Sequence, residues 1–491
     1  MKKFVLVTLS LCCSLSLFSQ KEKQKVEETV TKAKIEGHIY FLADDLLKGR
    51  ETGTPENKIA ASYLANTLRS YGVKPNPLTG DFYQKVALVK TTPPKQVSVE
   101  LNGENMTDYA VINASPISST DDALYLGYGM EDDYSKISAK GKVVVVKAGS
   151  AETNDARAAF GLRAKKKELA LANGAIGIIE LLQAEDQMWG FIEHNFNGSS
   201  LKIASNEKEA QDSFPYLWLL DKKGATASSL NGKTTVKMKL AMTATVEEKV
   251  ESQNVIGVVE GTDPTLKNEF IIYSAHYDHV GIGTPDETGD TIYNGARDNA
   301  VGTTTVLAMA ENLAKYPTKR SALFILFTGE EKGLLGSKYY VENPVLPLKQ
   351  MVYCFNSDNA GYNDKSLATI VGLTRTSAEK NIVDAVAVFG LKAIEDPAKE
   401  QGLFDRSDNV NFAKKGIPAP TFSLGFTAFN GDVTKYYHRP GDEADSMDYD
   451  YLLKFFSAYV MAGRSIANDS KTPFWNAGDK YEADGKALYK N

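Results

Sequence analysis

The chain carries five histidines, His38, His194, His276, His279 and His438, and three of them fall in short polar clusters of the C-terminal half. One cluster reads His276-Tyr277-Asp278-His279, and acids gather in the others as Asp298-Asn299, Glu330-Glu331 and Asp358. Two imidazoles with three carboxylates offer nitrogen and oxygen donors that suit zinc, with manganese and cobalt as weaker matches. One carboxylate can bridge two ions about 3.5–4 Å apart, and both ions then polarise one water, lowering its pKa from about 15.7 towards about 7. A nearby glutamate that binds no metal can take the proton as that water attacks. Adjacent Glu330 and Glu331 suit this division, because neighbours in an extended turn point to opposite sides, one to metal and one to substrate.

The surrounding pattern predicts how these groups meet. After Glu251, strands are expected at Asn254–Val259, Phe270–Ser274, Ala322–Phe327 and Met351–Phe355, alternating with helices at Val301–Lys315, Leu334–Glu342, Ala378–Phe389 and Tyr451–Ile466. Such alternation predicts an α/β fold, a mostly parallel sheet with helices on both faces. Each acidic or imidazole cluster then lies beyond the carboxyl end of a strand or at a helix entrance, the rim where open α/β sheets bind ligands. Taken singly, a His-x-Asp pair is also a common surface turn, a Glu-Glu pair ordinary solvated charge, and Asp358 a helix cap. Spacing alone leaves a metal hydrolase and these bland roles both open.

The rest of the chain divides by texture. Met1-Lys2-Lys3, an apolar run from Phe4 to Phe18 and small residues near Ser19 describe a secretory signal peptide over residues 1–20. Export to the periplasm or the outside is therefore expected. Leu11 before Cys12 argues against a lipid anchor, and no later segment is long and apolar enough to span a bilayer. Cys354 is the one cysteine beyond that leader, so no internal disulfide is expected. Residues 21–95 read as a helical front segment that docks on a larger domain, with Pro55 opening a helix that Gly72 ends. Residues 96–250 read as a separate β-rich insert with buried strands at Gly141–Gly149 and Ala175–Leu182 around a helix at Asp155–Ala172, without a ligating cluster. Residues 251–470 form the domain that bears the chemistry, and 471–491 a tail. A formal net charge of -6 gives no basic footprint, so no nucleic-acid partner is expected.

Five blocks sharpen this reading. Ser274-Ala-His-Tyr-Asp-His-Val-Gly281, Asn294-Gly-Ala-Arg-Asp-Asn-Ala-Val-Gly302, Phe327-Thr-Gly-Glu-Glu-Lys-Gly333, Ser357-Asp-Asn-Ala-Gly361 and Tyr436-Tyr-His-Arg-Pro440 stand in order. Together they resemble the co-catalytic di-zinc aminopeptidases of clan MH, which also include glutamate carboxypeptidases. Leu42 to Pro55 resembles that family's N-terminal segment, and the insert resembles a protease-associated (PA) domain. The resemblance implies two Zn2+ ions, with His276 and Asp358 on one, Glu331 and His438 on the other, and Asp298 bridging. It implies Glu330 as general base, and Asp278 as the partner fixing the far nitrogen of His276. Tyr437 would polarise the scissile carbonyl, and the Asp298-Asn299 peptide bond would be cis.

Two positions depart from the family pattern. Asn409 stands where Ser-Asp-His would place a pocket histidine, and Arg297 stands where many aminopeptidases carry an acid before the bridging Asp. Both are placed at the substrate end, where Arg297 either attracts a substrate carboxylate or faces outward, paired to a surface acid. The leading expectation is an exported metallo-exopeptidase removing N-terminal residues from peptides through a metal-bridging water activated by Glu330. The alternatives are a carboxypeptidase or dipeptidase using Arg297, Arg406 or Arg439, a one-zinc glutaminyl cyclase, and a non-catalytic binding protein on the same scaffold. The partner is a peptide substrate. Oligomeric state is not readable.

Overall fold

The computed structural model describes residues 20–205 and 214–490. The signal-peptide reading covers residues 1–20, of which 1–19 lie outside the described residues. The chain forms two compact units, one made of the residues up to Ala87 together with Glu251 onward, the other of Leu88–Val250.

The first unit is an α/β fold whose sheet contains β1 (Val246–Val259), β2 (Phe270–His276), β3 (Ser321–Phe327), β4 (Met351–Ser357), β5 (Leu367–Val371), β6 (Lys392–Glu395) and β7 (Thr421–Leu424). Their order across the sheet is β1-β3-β2-β4-β7-β5-β6. Strands β3, β2, β4 and β7 run parallel, while β1 and β5 pair antiparallel to this core. Alternate residues of each strand face opposite sides: Ile271, Tyr273 and Ala275 join one apolar cluster, and Ile272 with Leu323 and Ile325 joins the other. Both faces are covered, so the central strands need unbroken apolar runs, and β3 reads Ser-Ala-Leu-Phe-Ile-Leu-Phe with every residue buried. Each such side chain contributes about 1.5–3 kcal/mol on full burial. Cys354 is free and buried within β4.

Parallel pairing puts the carboxyl ends of β2, β3 and β4 on one rim, where His276, Phe327 and Ser357 end their strands. Helix Gly302–Lys315 packs against β2, and helix Tyr449–Asn468 packs against that helix. Strands β5, β6 and β7 are additions to the expected set. Their runs are only four or five residues long, too short for periodicity to distinguish them from a buried helical turn.

The front segment pins the rim. Arg50 is fully buried and donates to the carbonyls of Leu42 at 2.6 Å, Tyr277 at 2.7 Å, Gly295 at 2.8 Å and also Asn294. One guanidinium thus ties the loop after β2 to the loop before Asp298. Gly49 beside it has φ 66°, and a Cβ there would lie 2.5 Å from the Tyr293 carbonyl oxygen, so only glycine fits.

The second unit packs two sheets around a shared apolar layer. The larger is six-stranded in the order Thr235–Val236, Ala123–Tyr125, Val143–Lys147, Gly177–Leu182, Tyr216–Leu220, Tyr109–Asn113. Helix Ala156–Ala172 starts at Asp155, whose carboxylate accepts from the Ala158 amide at 2.8 Å. Under that helix Lys166 and Glu180 form a fully buried ion pair. Glu180 also accepts from Tyr216 and, at 2.6 Å, from the Trp218 indole, while Lys166 donates to the Lys147 carbonyl at 2.7 Å. Every charge there has a partner, which is the condition under which burial of an ion pair is tolerated.

Candidate metal centre

Five separate loops deliver the chemistry to one rim. His276 is the last residue of β2, and its backbone carbonyl accepts from Thr303 at 2.7 Å, which holds strand end against helix start. Asp298 lies just before helix Gly302–Lys315, with a cis peptide bond to Asn299. Asn299 locks the segment, donating to the Ser357 carbonyl at 2.9 Å and accepting from the Gly302 amide at 3.1 Å. Glu330 and Glu331 turn off β3, and Asp358 follows β4. His438 enters from the loop after helix Gly431–Thr434, in a left-handed backbone conformation with φ 51°.

Asp298 sits between two clusters. Its Oδ1 is 3.3 Å from Nε2 of His276, which is also 3.3 Å from Oδ1 of Asp358. Its Oδ2 is 3.2 Å from Nε2 of His438, which is 3.0 Å from Oε2 of Glu331. Nε2 of His438 is buried yet makes no hydrogen bond with acceptable angles to either carboxylate. Imidazole nitrogens and carboxylate oxygens that converge at this spacing suit a cation held between them, and this donor set is that of zinc. Ligand atoms of His276, Asp298 and Asp358 lie within 4.8 Å of one another, as do those of His279, Asp298, Glu331 and His438.

The electrostatics follow from crowding acids and imidazoles together. Burial works to raise the Asp298 carboxyl, but the imidazoles of His276 and His438 close beside it outweigh it and hold it low. Burial and the Asp298 charge push Glu331 up, and the hydrogen bond with His279 and the nearby His438 imidazole bring it down to about 2. Burial lowers His438, yet the same carboxylates raise it to about 10. Glu330 goes the other way: burial lifts it well above the ordinary carboxyl range, His276 opposes, and Asp358, Glu331 and Asp408 add to the rise. Two adjacent glutamates are thus driven apart, one a fixed anion and one able to carry a proton.

The supporting residues depart from expectation in three places. Asp278 meets Nδ1 of His276 with its backbone carbonyl at 3.2 Å, while its carboxylate stands 3.9 Å away. That carboxylate instead accepts from the Thr52 hydroxyl at 2.8 Å and the amides of Glu330 at 3.2 Å and Glu331 at 3.4 Å. It therefore positions the glutamate pair. Arg297 does not face substrate: its guanidinium is buried, bonded to Asp442 at 3.0 Å and to Ser446, and stacked 3.9 Å over the Tyr436 ring. Asn409 does not line the pocket either, because its amide is buried and donates to the carbonyls of Phe404 at 3.1 Å and Ala419 at 3.0 Å. In both cases local packing absorbs a side chain whose chain position alone put it at the substrate end.

One residue was named in its cluster but given no role. His279 is fully buried and bonds Oε1 of Glu331 through Nδ1 at 2.8 Å, and its ring lies so close to Gly295 that a Cβ there would come within 2.6 Å. Its position three residues after His276 was the available signal.

A pocket opens beside the clusters. His276, Asp298, Glu330, Glu331 and Asp358 form one end, and Tyr437 stands on its wall with its ring stacked 4.0 Å from that of His438. Burial, then the charges of Asp298 and Glu331, raises the Tyr437 phenol, keeping it a neutral donor.

Comparison with known proteins accords with this geometry. Residues 254–462 match the model described as Peptidase family M28. Aminopeptidase YwaD of Bacillus subtilis is 28% identical over 268 residues, 52% of this chain and 52% of that protein. Leucine aminopeptidase 2 of Arthroderma otae is 23% identical over 430 residues, 82% of this chain and 76% of the relative. The first of these is thus matched over only about half its length. Among solved structures, an aminopeptidase from Aneurinibacillus sp. strain AM-1 superposes with a TM-score of 0.62 at 20% identity, covering 92% of this chain and 97% of that one. BSAP, a zinc aminopeptidase from Bacillus subtilis, superposes with a TM-score of 0.53 at 19% identity, covering 92% and 97%. At such identities the superpositions speak for the zinc-exopeptidase fold, while the block of matched residues speaks for descent. Over residues 254–462, the chain is similar to peptidase family M28.

Proposed function

We propose that the chain is an exported di-zinc aminopeptidase that removes N-terminal residues from peptides. The observation that carries this reading is Asp298, which presents Oδ1 to the His276 and Asp358 cluster and Oδ2 to the Glu331 and His438 cluster. His276 and Asp358 would hold one ion, Glu331 and His438 the other, with Asp298 shared. Zinc bound there would supply Lewis acidity to a water and to the scissile carbonyl.

The remaining chemistry belongs to side chains. Glu330, raised and on the pocket wall, takes a proton from the attacking water at its carboxylate and passes it to the departing amine. Tyr437, kept neutral, donates from its hydroxyl to the carbonyl oxygen as negative charge builds there. Carboxylates at one end of the pocket draw in a free α-ammonium, which favours an amino-terminal substrate over a carboxyl-terminal one. With Arg297 engaged by Asp442, one support for the carboxypeptidase alternative is gone. The two-sheet insert is read as a PA domain, and the lysine-led apolar start of the chain supports export to the periplasm or beyond.

The test compares leucine p-nitroanilide with N-acetyl peptides ending in glutamate, using zinc-loaded protein. Release from the free-amine substrate alone supports the proposal. Hydrolysis of only the blocked set overturns it.

A further inference from the structure

The pocket beyond the metal clusters is not uniformly apolar. Val371, Leu403, Phe426, Phe429 and Val433 build its walls, and Arg406 lines it with them. Arg406 is exposed, and among the described residues its guanidinium has no carboxylate partner. Five other arginines of this unit are engaged: Arg50 by four carbonyls, Arg297 by Asp442, Arg320 by Glu269, Arg375 by Asp479 and Arg464 by Glu22. The Arg406 guanidinium carbon sits 5.9 Å from the centroid of the Phe429 ring, at the outer limit for a cation held over an aromatic face. It is also near enough to Tyr437 for its charge to oppose the rise of that phenol. The pocket therefore combines a cluster of carboxylates, apolar walls and one cation that has no carboxylate partner among the described residues.

That polarity has a chemical complement. An α-ammonium beside the acids and an apolar stem along Val371 and Phe426 would leave a side-chain carboxylate to meet the guanidinium that lines the same pocket. We infer that Arg406 is a specificity-determining residue, and that the pocket prefers a peptide whose N-terminal residue carries a side-chain carboxylate, glutamate above leucine. This inference rests on the aminopeptidase reading. Arginine suits the task because its planar fork binds a carboxylate through two hydrogen bonds and stays charged at any working pH. Without the cation, an acidic side chain would be repelled by the same carboxylates that attract the ammonium.

The experiment measures kcat/KM for the p-nitroanilides of glutamate, glutamine and leucine with zinc-loaded wild type, Arg406→Gln and Arg406→Glu. Glutamate and glutamine have the same length, so their ratio isolates charge from fit. A charge-assisted hydrogen bond predicts a Glu:Gln ratio of about ten or more in the wild type, falling to about one in Arg406→Gln. Arg406→Glu should drive the ratio below one and favour lysine p-nitroanilide. Ratios within each enzyme cancel any general loss of activity. The wild-type ratio should also shrink as salt rises from about 0.05 to 1 M, as an ion pair requires. If leucine and glutamine anilides are cleaved while the Glu:Gln ratio stays near one, Arg406 has no such role and the aminopeptidase reading stands. If no free-amine anilide is cleaved, that reading falls and the preference falls with it.

Discussion

His279 bonds Oε1 of Glu331 through Nδ1 at 2.8 Å, and this leaves Oε2 of the same carboxylate turned to Nε2 of His438 at 3.0 Å. The buried imidazole thus selects which oxygen of Glu331 faces the candidate metal cluster. Partners of this kind orient a ligand and typically contribute about 10–100-fold in metal affinity. Replacing His279 with Ala should weaken zinc binding by about that factor at one of the two positions, with activity largely restored by excess zinc. Competition against a chromophoric chelator measures this. Unchanged affinity at both positions would show that Glu331 needs no such guide.

Glu330 and Glu331 are neighbours driven to opposite protonation behaviour, and the account gives only Glu331 to metal. Glu330→Gln should keep its zinc and lose about 10²–10⁴-fold in kcat, the usual contribution of a positioned general base. Metal analysis and kinetics on the same sample decide this. Loss of zinc in the variant would place Glu330 among the ligands instead.

How far the sequence foreshadowed this site depends on the kind of contact. The strands that end in His276, Phe327 and Ser357 are long, apolar and bounded by polar turns, so both they and the rim at their carboxyl ends could be read from pattern alone. The metal-facing residues are legible for the same reason, since each follows a recognisable strand or precedes a helix. Arg297 and Asn409 went astray because chain position does not report side-chain direction. Arg297 turned to Asp442, 145 residues away, and Asn409 to the Phe404 and Ala419 carbonyls. Asp278 was placed beside the right residue but its carboxylate serves another, reaching across to Thr52 and the Glu330 amide. Long-range hydrogen bonds of this sort have no periodic signature.

His38 gives the first unit a pH-dependent stability unrelated to catalysis. It bridges the front helices, with Nδ1 2.7 Å from the Tyr63 hydroxyl and Nε2 2.9 Å from that of Tyr71. Burial, aided by Lys34, lowers it from 6.5 to about 4, so the folded chain resists a proton that the unfolded chain accepts. In that window the unfolded state binds more protons, and stability must fall as pH drops from about 6.5 to about 4. Urea midpoints for wild type and His38→Gln across pH 7.5 to 4.5 isolate the effect. The wild type should lose more stability than the variant; parallel curves would mean that His38 titrates normally.

The central claim is that two zinc ions share Asp298 and are both needed for removal of an N-terminal residue. Chelator-stripped enzyme titrated with zinc while leucine p-nitroanilide hydrolysis is recorded tests it most directly. The account predicts activity that reaches its plateau at two equivalents of zinc per chain. A plateau at one equivalent, or no hydrolysis at any zinc concentration, would contradict it.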